Sequence, residues 1–202
     1  MSWLSVLDGH DDLISKQNQK QLRQWKRAHP GHRSFTVLRH PVARAHSVFC
    51  QRFLNTGDGS FLKIRDVLKR QFKVNLPKDG PGKNWTVDDH RAAFEGFLRF
   101  VKANLNGQTS TRVDAEWATQ AQILAGFAEL LPPDAILRED RLAHDLPALL
   151  SAAGIDSAPD LPPVQEDAPV ALSQIYDPDL EKAVYDVYQR DYVMLGFDAW
   201  AL

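Results

Sequence analysis

Phe35-Thr-Val-Leu-Arg39-His-Pro41-Val-Ala-Arg44-Ala-His-Ser47 is the stretch whose reading decides the fold. Five residues rich in β-formers lie between a Pro30-Gly31 turn and a proline, which predicts a short buried strand over 35–39. Pro41 cannot extend a strand ladder but suits the first turn of a helix. A helix from Pro41 to about Asn55 is predicted, with Val42, Ala45, Val48, Phe49 and Phe53 turned inward. In open α/β sheets, ligands sit beyond the carboxyl ends of strands, where helix N-termini also point. Arg39 would project from such a strand end, and Arg44 and Ser47, three residues apart, share a helix face. A guanidinium fork and a hydroxyl beside helix-terminal N–H groups can clamp a phosphate. The same strand–Arg–x–Pro–helix arrangement also serves α/β proteins with no phosphate site, so both readings stand at this level.

Outward from that stretch the chain reads as helices around a second short strand. Residues 12–29 form a polar helix packing through Leu13, Leu22 and Trp25, and its basic run from Lys16 to Arg27 reads as a solvated face. A helix over 60–72 is predicted with Ser60 as N-cap, then a loop over 73–86. Apolar residues at 94, 97, 98, 101 and 105 make a helical stripe for residues 87–104. A loop or edge strand over 105–113 leads to a helix over 115–131, ended by Pro132-Pro133. The second strand is placed at 135–138, followed by a helix over 141–153 that Gly154 closes. Residues 156–174 are a proline-rich, acidic surface crossing. The last helix opens at Asp177-Pro178, N-cap then N1 proline, and runs to about Leu195.

Bulk properties narrow the class. The 202 residues are 44% hydrophobic, 9% aromatic and 25% charged, as expected of one globular domain over 1–202. A net charge of −2 marks no overall polyanion binder, so no nucleic-acid partner is expected. Cys50 is the one cysteine, which rules out an intrachain disulfide and suits a reducing compartment. No run reaches the roughly 18 apolar residues of a membrane span. The first residues lack the basic start and cleavage site of a secretory signal, so a cytoplasmic location is the expectation.

The Arg39–Ser47 segment resembles one found in sulfotransferases that use 3′-phosphoadenosine 5′-phosphosulfate (PAPS), of the form R-[D/N]-P-x-x-R-x-x-S. Arg39, Pro41, Arg44 and Ser47 match it, and His40 stands where an acidic or amide residue is usual. Three further stretches follow in the family's order. Asp114-Ala-Glu-Trp117-Ala-Thr-Gln120 is similar to its Asp/His–Trp–x–x–Gln segment. Ala135-Ile-Leu-Arg-Glu139 through Asp145-Leu resembles its second strand-and-helix stretch. Ile175-Tyr-Asp-Pro through Tyr188-Gln-Arg-Asp191-Tyr and Gly196-Phe is similar to its C-terminal helix.

The resemblance covers about residues 35–197 and implies an α/β fold: a small parallel sheet flanked by many helices, like the P-loop nucleotide kinases. It implies PAPS as co-substrate, with Arg39 and Ser47 on its 3′-phosphate and Arg44 assisting. It also implies sulfuryl transfer to a hydroxyl or amine acceptor, a carbohydrate or other small molecule. The family's 5′-phosphosulfate loop finds no match in residues 1–34, where Gly9 and Gly31 precede no Lys-Ser/Thr helix start. The fold is therefore expected to be N-terminally incomplete. A degenerate, inactive nucleotide- or partner-binding member is the alternative, and whether the chain is an enzyme stays open.

No residue is assigned as catalytic base. His46, His90, His144, Glu116 and Glu139 are candidates, each equally at home as a packing or paired residue. His29-Pro-Gly-His32 lacks further ligands at metal spacing, so no metal site is expected. Cys50 reads as a buried structural thiol, and Trp117 as a core tryptophan or a wall of an acceptor site.

Overall fold

The computed structural model describes residues 18–129, 131–155, 161 and 168–201. The predicted helical start over 12–17 and residues 156–160 and 162–167 of the predicted 156–174 crossing lie outside them. The described residues fall into two compact units, residues up to 38 with 131–165, and 39–130 with 166–202.

The first unit opens with α1, Gln19–Ala28. Asn18 caps it in a reciprocal box: its side chain accepts the Gln21 N–H, and the Gln21 side chain accepts the Asn18 N–H, both at 2.9 Å. Lys20, Arg23 and Arg27 stand exposed, while Leu22, Trp25 and Lys26 are half-buried, so the described basic residues are mostly solvated; Leu13 and Lys16 lie outside the described residues. Strand β1 is Phe35–Leu38 and β2 is Ala135–Arg138. They pair in parallel, with Phe35 opposite Ala135 and Leu38 opposite Arg138. The entry to the pair is fixed by Asp134, whose carboxylate accepts the Ser34 N–H at 2.7 Å and its hydroxyl at 2.8 Å. A 3-10 turn at Glu139–Arg141 leads into α6, Leu142–Ala152, closed by Gly154 at φ +76°. Leu137, Leu146 and Leu150 form the core of this unit, with Val37 and Leu149 against them.

The second unit is helical. Helix α2 runs Pro41–Val48 and continues as a π-helical segment over Phe49–Leu54, the span predicted as one helix to about Asn55. The carbonyls that end the π segment are met by Arg65, 3% exposed, which donates to Phe53, to Leu54 at 2.9 Å and to Asn55 at 3.2 Å. Arg65 belongs to α3, Leu62–Gln71. Ser60 does not cap that helix: the N-cap position is Phe61, no side chain caps it, and the Ser60 hydroxyl is buried without a partner. The chain turns at Gly57–Ser60 before α3 begins, so the N-cap falls one residue later than the serine suggested.

Helix α4, Val87–Leu105, carries the apolar stripe into the core, with Phe94, Phe97, Leu98 and Val101 buried. Gly96 permits the close passage of Val74, whose Cγ2 would lie 2.6 Å from an added Cβ. Residues 106–113 are loop and turn, settling the choice left open for 105–113.

Helix α5 is Gln120–Ala128, not 115–131: residues 115–118 form a turn, and Thr119 caps the helix by accepting the Gln122 N–H at 3.2 Å. A single turn, α7, at Leu172–Ile175 precedes α8, Pro178–Leu195. Asp177 caps α8, and Gly196 ends it in the left-handed conformation at φ +65°. Phe49, Phe53, Phe94, Phe97, Phe100 and Trp117 make a continuous aromatic core, each 1% exposed or less. Burying each such ring stabilises the unit by about 1.5–3 kcal/mol. Among the described residues, no helix is long and apolar enough to cross a membrane.

Candidate functional site

The α2 N-terminus is where the sequence placed its chemistry, and three separate segments meet there. His40 caps the helix: its Nδ1 accepts the Val42 N–H at 3.3 Å, while its Nε2 donates to the Asp198 carbonyl at 2.9 Å. One tautomer, protonated on Nε2, serves both bonds. The ring packs edge-on against Tyr192 and Phe197, with centroids 5.6 and 5.4 Å away. Histidine here supplies the cap acceptor that an acidic or amide residue would give, and adds a tie to the end of the chain.

Arg39 is held through its backbone. The Gln120 side-chain amide accepts the Arg39 N–H at 3.0 Å and donates to the Arg39 carbonyl at 2.8 Å, as a neighbouring strand would. Gln120 is itself seated by Asp191, whose two carboxylate oxygens accept the Gln120 and Ala121 N–H groups, each at 2.9 Å. A buried carboxylate at a helix N-terminus satisfies donors that have no partner within the helix. Burial pushes the Asp191 carboxyl upward, opposed by the Ala121 and Gln120 N–H groups and by the Arg44 charge. Arg44 spans to the preceding turn, donating to the Ala118 carbonyl at 2.7 Å and the Ala115 carbonyl at 2.8 Å. Tyr188 reaches the same turn, its hydroxyl donating to the Trp117 carbonyl at 3.2 Å. The Trp117 indole donates to Asn104 at 2.7 Å.

The segments 35–47, 114–120 and 175–197, quoted separately from the sequence, are therefore bonded into one structure, with Ala121 and Asp198 just beyond them joining in. The sequence model for the sulfotransferase family matches residues 7–198. The chain belongs to the sulfotransferase family. No curated protein and no solved structure matches it.

Among the sulfotransferase-like residues, Arg44 and Ser47 lie one turn apart on α2, both half-buried, and Arg39 is half-buried just before the cap. Two of the five Arg44 donors hold the 115–118 turn, leaving the rest of the guanidinium for other partners. Ser47 makes no side-chain hydrogen bond among the described residues. Guanidinium groups and a hydroxyl are donors of the kind that hold a phosphate dianion; Arg39 precedes α2, Arg44 is its fourth residue and Ser47 lies near its C-terminal end.

The other candidates are engaged elsewhere. Glu116 pairs with Arg52 at 2.7 Å. His144 lies 2.8 Å from Asp145, and Glu139 sits in the 3-10 turn. His29 and His32 bond the Trp25 and His29 carbonyls, and both rings pack on Trp25. Trp117 is a core residue, 1% exposed. His46 and His90 are buried together beside Cys50, a grouping that the sequence did not disclose because His90 lies forty residues beyond Cys50. Burial, and for His46 the neighbouring His90, pushes their pKa values down to about 3 for His46 and about 4 for His90.

Proposed function

We propose that this sulfotransferase-family chain transfers a sulfuryl group from PAPS to a hydroxyl or amine acceptor, a carbohydrate being one such class. Arg39 and Ser47 hold the 3′-phosphate of the nucleotide, with Arg44 assisting. The fold would be the P-loop-like arrangement of the family. The observation that carries the reading is the seating of the Arg39–Ser47 segment. Gln120 brackets Arg39, His40 caps the helix, and Arg44 is tied to the 115–118 turn, so the donors stand on a rigid frame. Preorganised donors bind a phosphate without the entropy loss of ordering a loop. In the reaction the sulfur–oxygen bond to the 5′-phosphate breaks, the acceptor atom bonds sulfur, and the acceptor proton passes to a base.

A second reading, nucleotide binding without transfer, is favoured by the engagement of the base candidates: His46 and His90 are buried and Glu116 is ion-paired. Calorimetric titration with adenosine 3′,5′-bisphosphate, with 5′-AMP alongside, tests the shared site. Selective binding of the bisphosphate, lost in Arg39→Ala and Ser47→Ala, is expected. Equal affinity for both nucleotides in the folded protein would overturn the site. Release of adenosine 3′,5′-bisphosphate from PAPS in the presence of sugar and amine acceptors then separates transfer from binding alone.

A further inference from the structure

Three side chains that nucleotide binding leaves unused meet in the core of the second unit. His46 lies on α2, Cys50 four residues on in the π-helical segment, and His90 in the first turn of α4. They are 4%, 4% and 0% exposed. Their donor atoms converge. His46 Nε2 is 2.9 Å from His90 Nε2, and Cys50 Sγ is 3.6 Å from the first and 3.8 Å from the second. π-Helical turns are rare and recur at functional sites.

We propose that His46, Cys50 and His90 bind a thiophilic d10 metal ion, Cu+ or Zn2+. Two imidazoles and a thiolate are ligands for both. Metal–nitrogen bonds of about 2.05 Å and a metal–sulfur bond of about 2.3 Å at tetrahedral angles place sulfur about 3.6 Å from each nitrogen. The observed sulfur–nitrogen distances of 3.6 and 3.8 Å agree. The same geometry separates the nitrogens by about 3.3 Å. The two rings, at 2.9 Å, would thus part slightly on loading. Charge favours the monovalent ion. Cu+ with one thiolate is neutral, whereas Zn2+ leaves a net positive charge beside the rings of Phe49 and Phe94, which pack on His90 and His46. An uncompensated charge in such surroundings is costly.

Proton placement gives the site a distinctive property. The Trp85 indole N–H donates to His90 Nδ1 at 3.2 Å, so His90 keeps its proton on Nε2 and donates it to His46 Nε2. A metal ion needs both Nε2 lone pairs. Loading moves the His90 proton from Nε2 to Nδ1 and releases the Cys50 thiol proton, one proton per ion. The new Nδ1–H then faces the Trp85 N–H, so Trp85, half-buried in the loop before α4, must turn away. Trp85 therefore opposes the metal.

The full chain, stripped with chelator and kept reduced without oxygen, is titrated with Cu+ against a chromophoric competitor, and separately with Zn2+. Co2+ serves as a spectroscopic probe. One Cu+ per chain, one proton released and displacement of Zn2+ by Cu+ are expected. The Co2+ form should show a thiolate-to-metal charge-transfer band that Cys50→Ser lacks, and His90→Gln should weaken Cu+ at least about tenfold. Trp85→Phe removes the opposing donor and should tighten Cu+ by about two- to tenfold, the equivalent of one hydrogen bond. Folded wild-type protein with no charge-transfer band would overturn the site, whatever the variants do. So would Cu+ affinity unchanged in both ligand variants, which would place the ion on the surface. Zn2+ held through Cys50 in preference to Cu+ would keep the site and overturn the charge argument.

Discussion

The side-chain amide of Gln120 stands in for a β-strand beside Arg39, accepting its N–H at 3.0 Å and donating to its carbonyl at 2.8 Å. Gln120 is 7% exposed, so both bonds are shielded from water. Gln120→Ala should lower stability by about 2 kcal/mol, one for each hydrogen bond, or about 4–8 °C in Tm. Because it frees the Arg39 backbone, it should also weaken adenosine 3′,5′-bisphosphate. Thermal unfolding and calorimetry on the same sample check both effects. Full nucleotide affinity in a destabilised Gln120→Ala protein would detach the bracket from binding.

Asp191 supplies the support beneath that bracket. Its two carboxylate oxygens each receive one backbone N–H at the start of α5. Asp191→Asn keeps one acceptor and turns an NH2 group toward the other N–H. The expected loss is about 2–3 kcal/mol, from one unsatisfied buried donor and a weakened cap. Urea unfolding should show a lower midpoint with an unchanged slope, since the surface exposed on unfolding is the same. A midpoint equal to wild type would show that the carboxylate contributes nothing as a cap.

What could be read in advance follows from the range of the forces involved. Strands 35–38 and 135–138, the Asp177-Pro178 start and the end of the last helix near Leu195 are local chemistry, and the sequence stated them to within a residue. The start of α5 was misread because residues 115–118 look helical but are held as a turn by distant groups. Those groups are the Arg44 guanidinium and the Tyr188 hydroxyl. Ser60 was misread because a serine before an apolar run looks like a cap wherever it falls. His46 and Cys50 show the i, i+4 spacing of one helix face, but only the packing of α4 brings in His90. The same holds for Arg44: its spacing suggested a phosphate contact, whereas its bonds to the Ala118 and Ala115 carbonyls depend on how the 115–118 turn packs.

His40 offers a direct reading of the cap. Aspartate at that position, the residue usual in the family's segment, would accept the Val42 N–H and favour the helix N-terminus by its charge. It could not reach the Asp198 carbonyl as a donor. His40→Asp should therefore retain most of the stability, while His40→Ala should lose about 1 kcal/mol with the cap. Thermal denaturation of the two variants decides it. Equal losses in both would mean that the bond to Asp198, not the cap, is what His40 contributes.

Asp177 sets how the second unit meets acid. Its carboxylate receives the Arg91 guanidinium through two bonds, one of them 3.0 Å long, and the Leu180 N–H at 2.8 Å. Arg91 first, and then the Leu180 N–H, hold the carboxyl below the usual aspartate value of 3.8. The unfolded chain therefore takes up this proton before the folded one does. The contribution is fully present above about pH 4 and is lost as pH falls through the lower, folded-state value. Asp177→Asn keeps an N-cap acceptor but removes the charge, so it should flatten that part of the acid unfolding curve while leaving α8 formed. Circular dichroism of both proteins from pH 6 to pH 2, across a urea series, gives stability at each pH. Parallel curves for the two would locate the acid sensitivity elsewhere in the unit, with the Asp89 carboxylate that accepts from Thr86 the next group to substitute.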